Sequence, residues 1–146
     1  MRSKQDTTPA ALASSILSLD VGERRIGVAW ADGTLRIPFP LVTLPADKAP
    51  ILKIKELYED QRAGLIVIGL PRNQQGEETA QSAYARAFAA KLTEEGLPVT
   101  FQDESLTSVL AEEELKQRGK PYKKEEIDSL AATLILQDYL QRSVHV

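Results

Sequence analysis

The sequence predicts an α/β domain built on a five-stranded mixed sheet, its first three strands antiparallel, with helices on both faces. Three observations carry that expectation. Between residues 16 and 44 three short apolar runs follow one another, separated by turn residues. Residues 65–70 (LIVIGL) form an unbroken apolar run ended by Pro71, the pattern of a strand buried on both sides. From Asp47 onward the apolar period lengthens to that of amphipathic helices, which alternate with the remaining strands.

Each element follows from local chemistry. Residues 1–14 are expected to be a flexible tail, because Thr7, Thr8, Pro9 and the small residues after them hold no period; residues 15–146 are then the domain. Residues 16–20 read as the first strand, Gly22 as a turn, and residues 25–30 (RIGVAW) as a second strand closing at an Asp32-Gly33 turn signal. Residues 35–44 read as a third strand, confined to a sheet edge by Pro38 and Pro40. Ile51, Leu52, Ile54, Leu57 and Tyr58 mark a helix that begins near Asp47 and stops before Gly64. After the 65–70 strand, a PRNQQG loop leads to an alanine-rich helix over residues 77–95, ended by Gly96 and Pro98. Residues 99–101 are a fifth strand running into Asp103 and Glu104, and helices over 106–117 and 124–141 flank a basic loop.

A length of 146 residues fits one domain, and 42% hydrophobic with 27% charged residues is the balance of a soluble globular protein. No apolar run approaches the roughly 18 residues of a membrane span. Ser18 and Asp20 interrupt the N-terminal apolar stretch as no signal-peptide core would, so a cytoplasmic location is expected. With no cysteine, and His145 as the only histidine, thiolate, disulfide and histidine-based chemistry are excluded. A net charge of −3 argues against coating nucleic acid by bulk charge, yet residues 116–124 (KQRGKPYKK) carry five basic and no acidic side chains.

Carboxylates remain as the candidates for chemistry. Strand alternation puts Ile16, Ser18 and Asp20 on one face, and Gly22 leaves room beyond Asp20 for an ion or a phosphate; the alternative is an aspartate that merely starts a turn. Asp103 and Glu104 end the fifth strand on opposite faces, so at most one can share a site, and Asp103 could instead cap the helix that follows. On the last helix Asp128 falls within the apolar sector of Ala131, Ala132, Ile135, Leu136 and Tyr139, away from Ser129, Thr133 and Gln137. A carboxylate in such a sector needs a metal or a partner, Arg25 being one candidate, or must escape to solvent from the first turn. Three carboxylates at strand ends and on a core-facing helix suit one or two hard cations, Mg2+ or Mn2+, and phosphodiester hydrolysis is the natural use of such a site.

Four blocks, DVGERRIGVAW from Asp20, VIGLPRNQQGEE from Val67, DESLTSVLAEEEL from Asp103 and IDSLAATLILQDYL from Ile127, resemble in order and spacing the motifs of the YqgF/RuvX family of Holliday junction resolvases or pre-16S rRNA nucleases. The resemblance implies an RNase H-like fold similar to the RuvC resolvase, with Asp20, Glu104 and Asp128 as the catalytic, metal-holding acids. It also implies a metal-dependent endonuclease, with maturation of the 5′ end of pre-16S rRNA in ribosome biogenesis ahead of Holliday junction resolution in DNA recombination or repair. The sequence departs from the family at Ser105, where an arginine is usual and could grip phosphate with two donors. Arg24, Arg25 and Arg72 are the cations expected to compensate, with Asn73 beside Arg72 at the end of a buried strand, where open α/β sheets bind ligands.

Lys116, Arg118, Lys120, Lys123 and Lys124 are expected to bind nucleic acid near the mouth of the site, against the alternative of a solvated charge run. The expected partner is structured RNA, or branched DNA, with no membrane and a monomer or weak dimer; a symmetric junction would require two sites. Two competing classes are nucleotide binding of the actin and sugar-kinase type, which needs a second lobe, and non-catalytic RNA binding in ribosome assembly.

Overall fold

The computed structural model describes residues 14–104 and 113–144, so most of the expected tail and most of the helix expected at 106–117 lie outside the described residues. Five strands, β1 (Ser15–Val21), β2 (Arg25–Ala31), β3 (Pro38–Pro45), β4 (Ala63–Pro71) and β5 (Val99–Glu104), form one sheet in the order β3-β2-β1-β4-β5. The β1–β2 and β2–β3 pairs are antiparallel, and β1–β4 and β4–β5 are parallel. This is the expected mixed sheet, with the proline-bearing β3 at its edge. The helices are α1 (Pro50–Asp60), α2 (Ala80–Glu94) and α3 (Lys124–Val144), and residues 113–117 are also helical. No helix among the described residues is long and apolar enough to cross a membrane.

Three elements start three residues later than expected, each for a local reason. Residues 35–37 are not strand, because the Asp32 carboxylate accepts the N–H groups of Thr34 (2.7 Å) and Leu35 (3.0 Å) and holds a turn until Pro38. Helix α1 starts at Pro50 rather than Asp47, since Ala49's place in the left-handed region, at φ 52°, breaks the helix on its N-terminal side and Pro50 suits a first turn.

 Helix α2 starts at Ala80 rather than residue 77: the N–H of Thr79 donates to Ser82 Oγ (2.9 Å), whose own hydroxyl donates to the Pro71 carbonyl (2.5 Å), tying the helix start to the end of β4.

Helices α1 and α2 cover one face of the sheet. There Leu17, Leu19, Ile26, Val28, Ile66, Ile68 and Leu70 pack with Ile54 of α1 and Ala85, Phe88, Ala89 and Leu92 of α2. Each fully buried aliphatic side chain in that layer contributes about 1.5–3 kcal/mol. Helix α3 covers the opposite face, with Ala131, Ala132, Ile135 and Leu136 fully buried, as the helical period requires. Thr133, expected on the outer side, is buried instead, its hydroxyl donating to the Ser129 carbonyl at 2.8 Å.

Candidate functional site

The α3 face of the sheet is lined by small residues, and this brings the helix close. Ser18 on β1 is fully buried and its hydroxyl donates to the Ala132 carbonyl of α3 at 2.7 Å. One step along the same face, Asp20 pairs in register with Gly27 of β2. A Cβ on Gly27 would lie 1.9 Å from the Asp128 carbonyl oxygen and 2.3 Å from its carbon, so only glycine lets the backbone of α3 rest on the strand here. The β1–β4 register ends with Leu19 beside Ile68, and the next residue of β4, Gly69, pairs with Gln102 of β5. Asp20, half-buried, therefore stands beside Gly27 near the carboxyl end of β1, with the backbone of Asp128 of α3 above that glycine.

Asp128 faces the sheet rather than solvent, with 19% of its side chain exposed, and Arg25 holds it: Arg25 Nε lies 2.5 Å from Asp128 Oδ2. Of the readings open in the sequence, a pair with Arg25 is present and escape to solvent is not. The hydrogen bond to Asp128, then the charge of Asp128, raises the Arg25 pKa above its ordinary value; burial opposes this, and Glu125 adds to it.

Register also separates the two acids of β5. Asp103 pairs with Leu70, which belongs to the core under α2, so Asp103 is on the face opposite Asp20 and does not join it. Glu104 closes β5 opposite Pro71, and its side chain lies outside the described residues. Gln102, on the Asp20 face, has a buried Oε1 with no hydrogen-bond partner among the described residues. Among those residues no three acids or histidines are grouped to hold a metal ion.

The expected nucleic-acid contacts fall into two groups. Arg72 and Asn73 organise their own loop. Arg72 Nη1 donates to the Gly76 carbonyl at 3.1 Å; its Nε lies 3.1 Å from Asp103 Oδ1 without hydrogen-bond alignment, and Nη2 lies 3.7 Å from Glu78. Asn73 Oδ1 accepts the N–H groups of Gln75 (3.0 Å) and Glu77 (2.9 Å), and its Nδ2 donates to Glu77 Oε1 at 3.1 Å. Next to them Arg86 makes a two-pronged pair with Glu78 (2.8 and 2.6 Å) while its guanidinium sits 5.0 Å over the Phe101 ring.

The second group is outward-facing. Arg24 is exposed, as are Lys116, Lys120, Lys123 and Lys124, whereas Arg118 pairs with Glu114 at 2.9 Å. Leu115, buried against Leu130 and Ala131, anchors this basic segment to α3 within the turn that follows Asp128. Sequence reasoning set Ser18 beside Asp20 but missed Gly27 as a builder of the site; the available signal was a glycine inside an otherwise good strand.

Over residues 14–142 the chain matches the family model described as RuvX, Holliday junction resolvase. It is 47% identical over 131 residues to a Chloroflexus aggregans protein named "Putative pre-16S rRNA nuclease", covering 86% of this chain and 92% of the relative. A Sulfurihydrogenibium protein of the same name is 42% identical over 132 residues, covering 88% and 91%. In three dimensions the chain resembles Thermus thermophilus RuvC in complex with a Holliday junction substrate, with a TM-score of 0.53 and 16% identity over 88% of this chain and 96% of that one. It also resembles the Fowlpox virus resolvase in complex with Holliday junction DNA, with a TM-score of 0.52 and 13% identity over 89% and 99%. At these identities the structural likeness is one of fold.

Proposed function

The chain belongs to the RuvX family and has an RNase H-like fold, and from that premise we propose that it is a metal-dependent endonuclease acting on structured nucleic acid, its substrate the 5′ end of pre-16S rRNA. The observation that carries this reading is the approach of α3 to the sheet at Gly27, which brings the helix bearing Asp128 onto the strand pair bearing Asp20. The rRNA substrate is favoured by the names of the relatives, and a branched DNA substrate by the description of the family.

The donor set fits a hard divalent cation. Asp20 and Asp128 supply carboxylate oxygens, Gln102 offers on the same face a buried oxygen without a partner among the described residues, and soft ligands are lacking because the chain has no cysteine. Asp20, Glu104 and Asp128 would hold Mg2+ or Mn2+, as one or two ions, which when bound lower the pKa of an attacking water and stabilise the leaving oxygen. The protein's own part is to fix two of these acids on rigid elements and keep them apart from Asp103, which Arg72 occupies on the other face. Arg24 and the exposed lysines Lys116, Lys120, Lys123 and Lys124 would bind the phosphate backbone, whose recognition is electrostatic and carries no sequence information.

The test is cleavage by the full chain of a 5′-extended 16S rRNA precursor and of a four-way DNA junction, with Mg2+, with Mn2+ and with chelator. The expected result is metal-dependent cutting of the RNA, reduced at least about 100-fold by Asp20→Asn, the order lost when a group acting in the transition state is removed. Cutting of the junction alone would move the substrate to DNA. Metal-indifferent RNA binding without cutting would leave a ribosome-assembly factor.

A further inference from the structure

The Arg25–Asp128 pair is made by one donor of the guanidinium. Nε bonds Asp128 Oδ2, and the terminal nitrogens of Arg25 make no hydrogen bond among the described residues. An arginine serving only to neutralise a carboxylate has a two-pronged geometry available to it, as Arg86 uses on Glu78. Arg25 leaves four N–H donors for another acceptor. The pair is also partly open, with 32% of the Arg25 side chain and 19% of the Asp128 side chain exposed, and pairs this accessible are held weakly enough to exchange. Glu125, the other acid acting on Arg25, lies in the first turn of α3 and is exposed, so Arg25 would keep an anionic neighbour if it left Asp128.

We propose that Arg25 is an exchangeable counter-ion: it neutralises Asp128 while no cation is bound, and when a divalent cation takes that carboxylate it turns its guanidinium to a phosphate of the nucleic acid. The inference rests on the nuclease reading above and adds a positioning role that couples the two ligands. Because Arg25 and the cation draw on one carboxylate, Arg25 weakens cation binding in the free protein. Because the cation releases Arg25, cation and nucleic acid strengthen each other's binding by the same factor.

Calorimetric titration of Mn2+ into the full chain without nucleic acid tests the first half. Arg25→Gln is expected to bind Mn2+ about fivefold tighter than the unaltered chain, the scale of a partly exposed pair. Arg25→Lys, which keeps the charge and loses the Nε contact, should fall between, whereas simple charge repulsion would leave it at the original affinity. Binding of the rRNA precursor in Ca2+ and in chelator, across a salt series, tests the second half. Ca2+ should tighten binding by the unaltered chain, and Arg25→Gln should lose most of that gain and about one unit of salt slope.

A purely structural pair predicts otherwise: Arg25→Gln would melt lower, with Mn2+ affinity unchanged or weaker and the Ca2+ gain intact, and that result would overturn the exchange while leaving the nuclease reading in place. If the unaltered chain bound no Mn2+, or Asp20→Asn bound it equally well, the nuclease reading itself would fall and the exchange with it.

Discussion

The two faces of the sheet are built on opposite plans. Toward α1 and α2 the strands present Leu17, Leu19, Ile26, Val28, Ile66 and Ile68, and the layer is held together by apolar volume. Toward α3, around Asp20, they present Ser18, Gly27 and Ala29, and the helix answers with Ala132 and its own backbone, while Ile16, Ala31, Leu136 and Leu140 pack further along. The first face supplies stability; the second sets a distance. A site that must hold two carboxylates near one another gains from the second plan, because a backbone resting on a backbone has little freedom to drift.

If this contrast is right, the two faces should respond to opposite insults, enlargement on one and truncation on the other. Gly27→Ala carries the largest expected effect. Its new Cβ would meet backbone atoms of Asp128 and Ser129, which no rotamer change can move, so α3 must lift off the sheet or the strand must bend. A loss of more than about 4 kcal/mol is expected, enough to unfold many domains of this size. Leu19→Ala, one residue from Asp20 on the aliphatic face, should cost about 3 kcal/mol through lost burial and the cavity left behind. Urea unfolding of both variants checks the ordering, and a Gly27→Ala chain more stable than Leu19→Ala would break the comparison.

Ser18→Ala sharpens it on a smaller scale. The substitution removes one buried hydrogen bond from the sheet to the Ala132 carbonyl, a loss of about 0.5–1.5 kcal/mol. It also leaves the close helix–sheet approach intact, so metal affinity should change far less than stability. A Ser18→Ala chain with unaltered stability but lost Mn2+ binding would assign this serine to the site rather than to the docking of α3.

Much of this was legible in the sequence, for reasons that are local. Alternation alone put Ser18 and Asp20 on one face, the helical period alone put Asp128 in the sheet-facing sector, and the cost of an unpaired carboxylate there named Arg25 as a partner. What could not be read depends on register between strands. Gly27 matters because it lies beside Asp20 across β1–β2, and Asp103 is separated from Asp20 because it lies beside Leu70 across β4–β5. No spacing within one strand encodes either relation. The start of α2 was missed for a similar reason: Ser82 bonds Pro71, eleven residues back and in another element.

The smallest expected effect tests the loop that follows β4, where Glu78 links Arg86 to Arg72. Arg86 hydrogen bonds lower the Glu78 pKa below its ordinary value; burial opposes them, and the charges of Arg86 and Arg72 assist. A carboxylate whose folded pKa is depressed adds stability above its unfolded pKa, and loses that contribution as pH falls through the folded value. The unaltered chain should therefore melt slightly higher than Glu78→Gln at pH 7, and the two should converge as pH falls past the depressed folded value, once Glu78 is protonated and as neutral as glutamine. Both side chains are substantially exposed, so the difference should be small and shrink in 1 M salt, where screening reaches about 3 Å. Melting curves from pH 7 to about pH 3 decide between two roles for Arg86. Convergence assigns the contribution to the ion pair, whereas a gap that survives acidification assigns it to the way Glu78 holds the guanidinium over Phe101, a contact that titration of Glu78 does not remove.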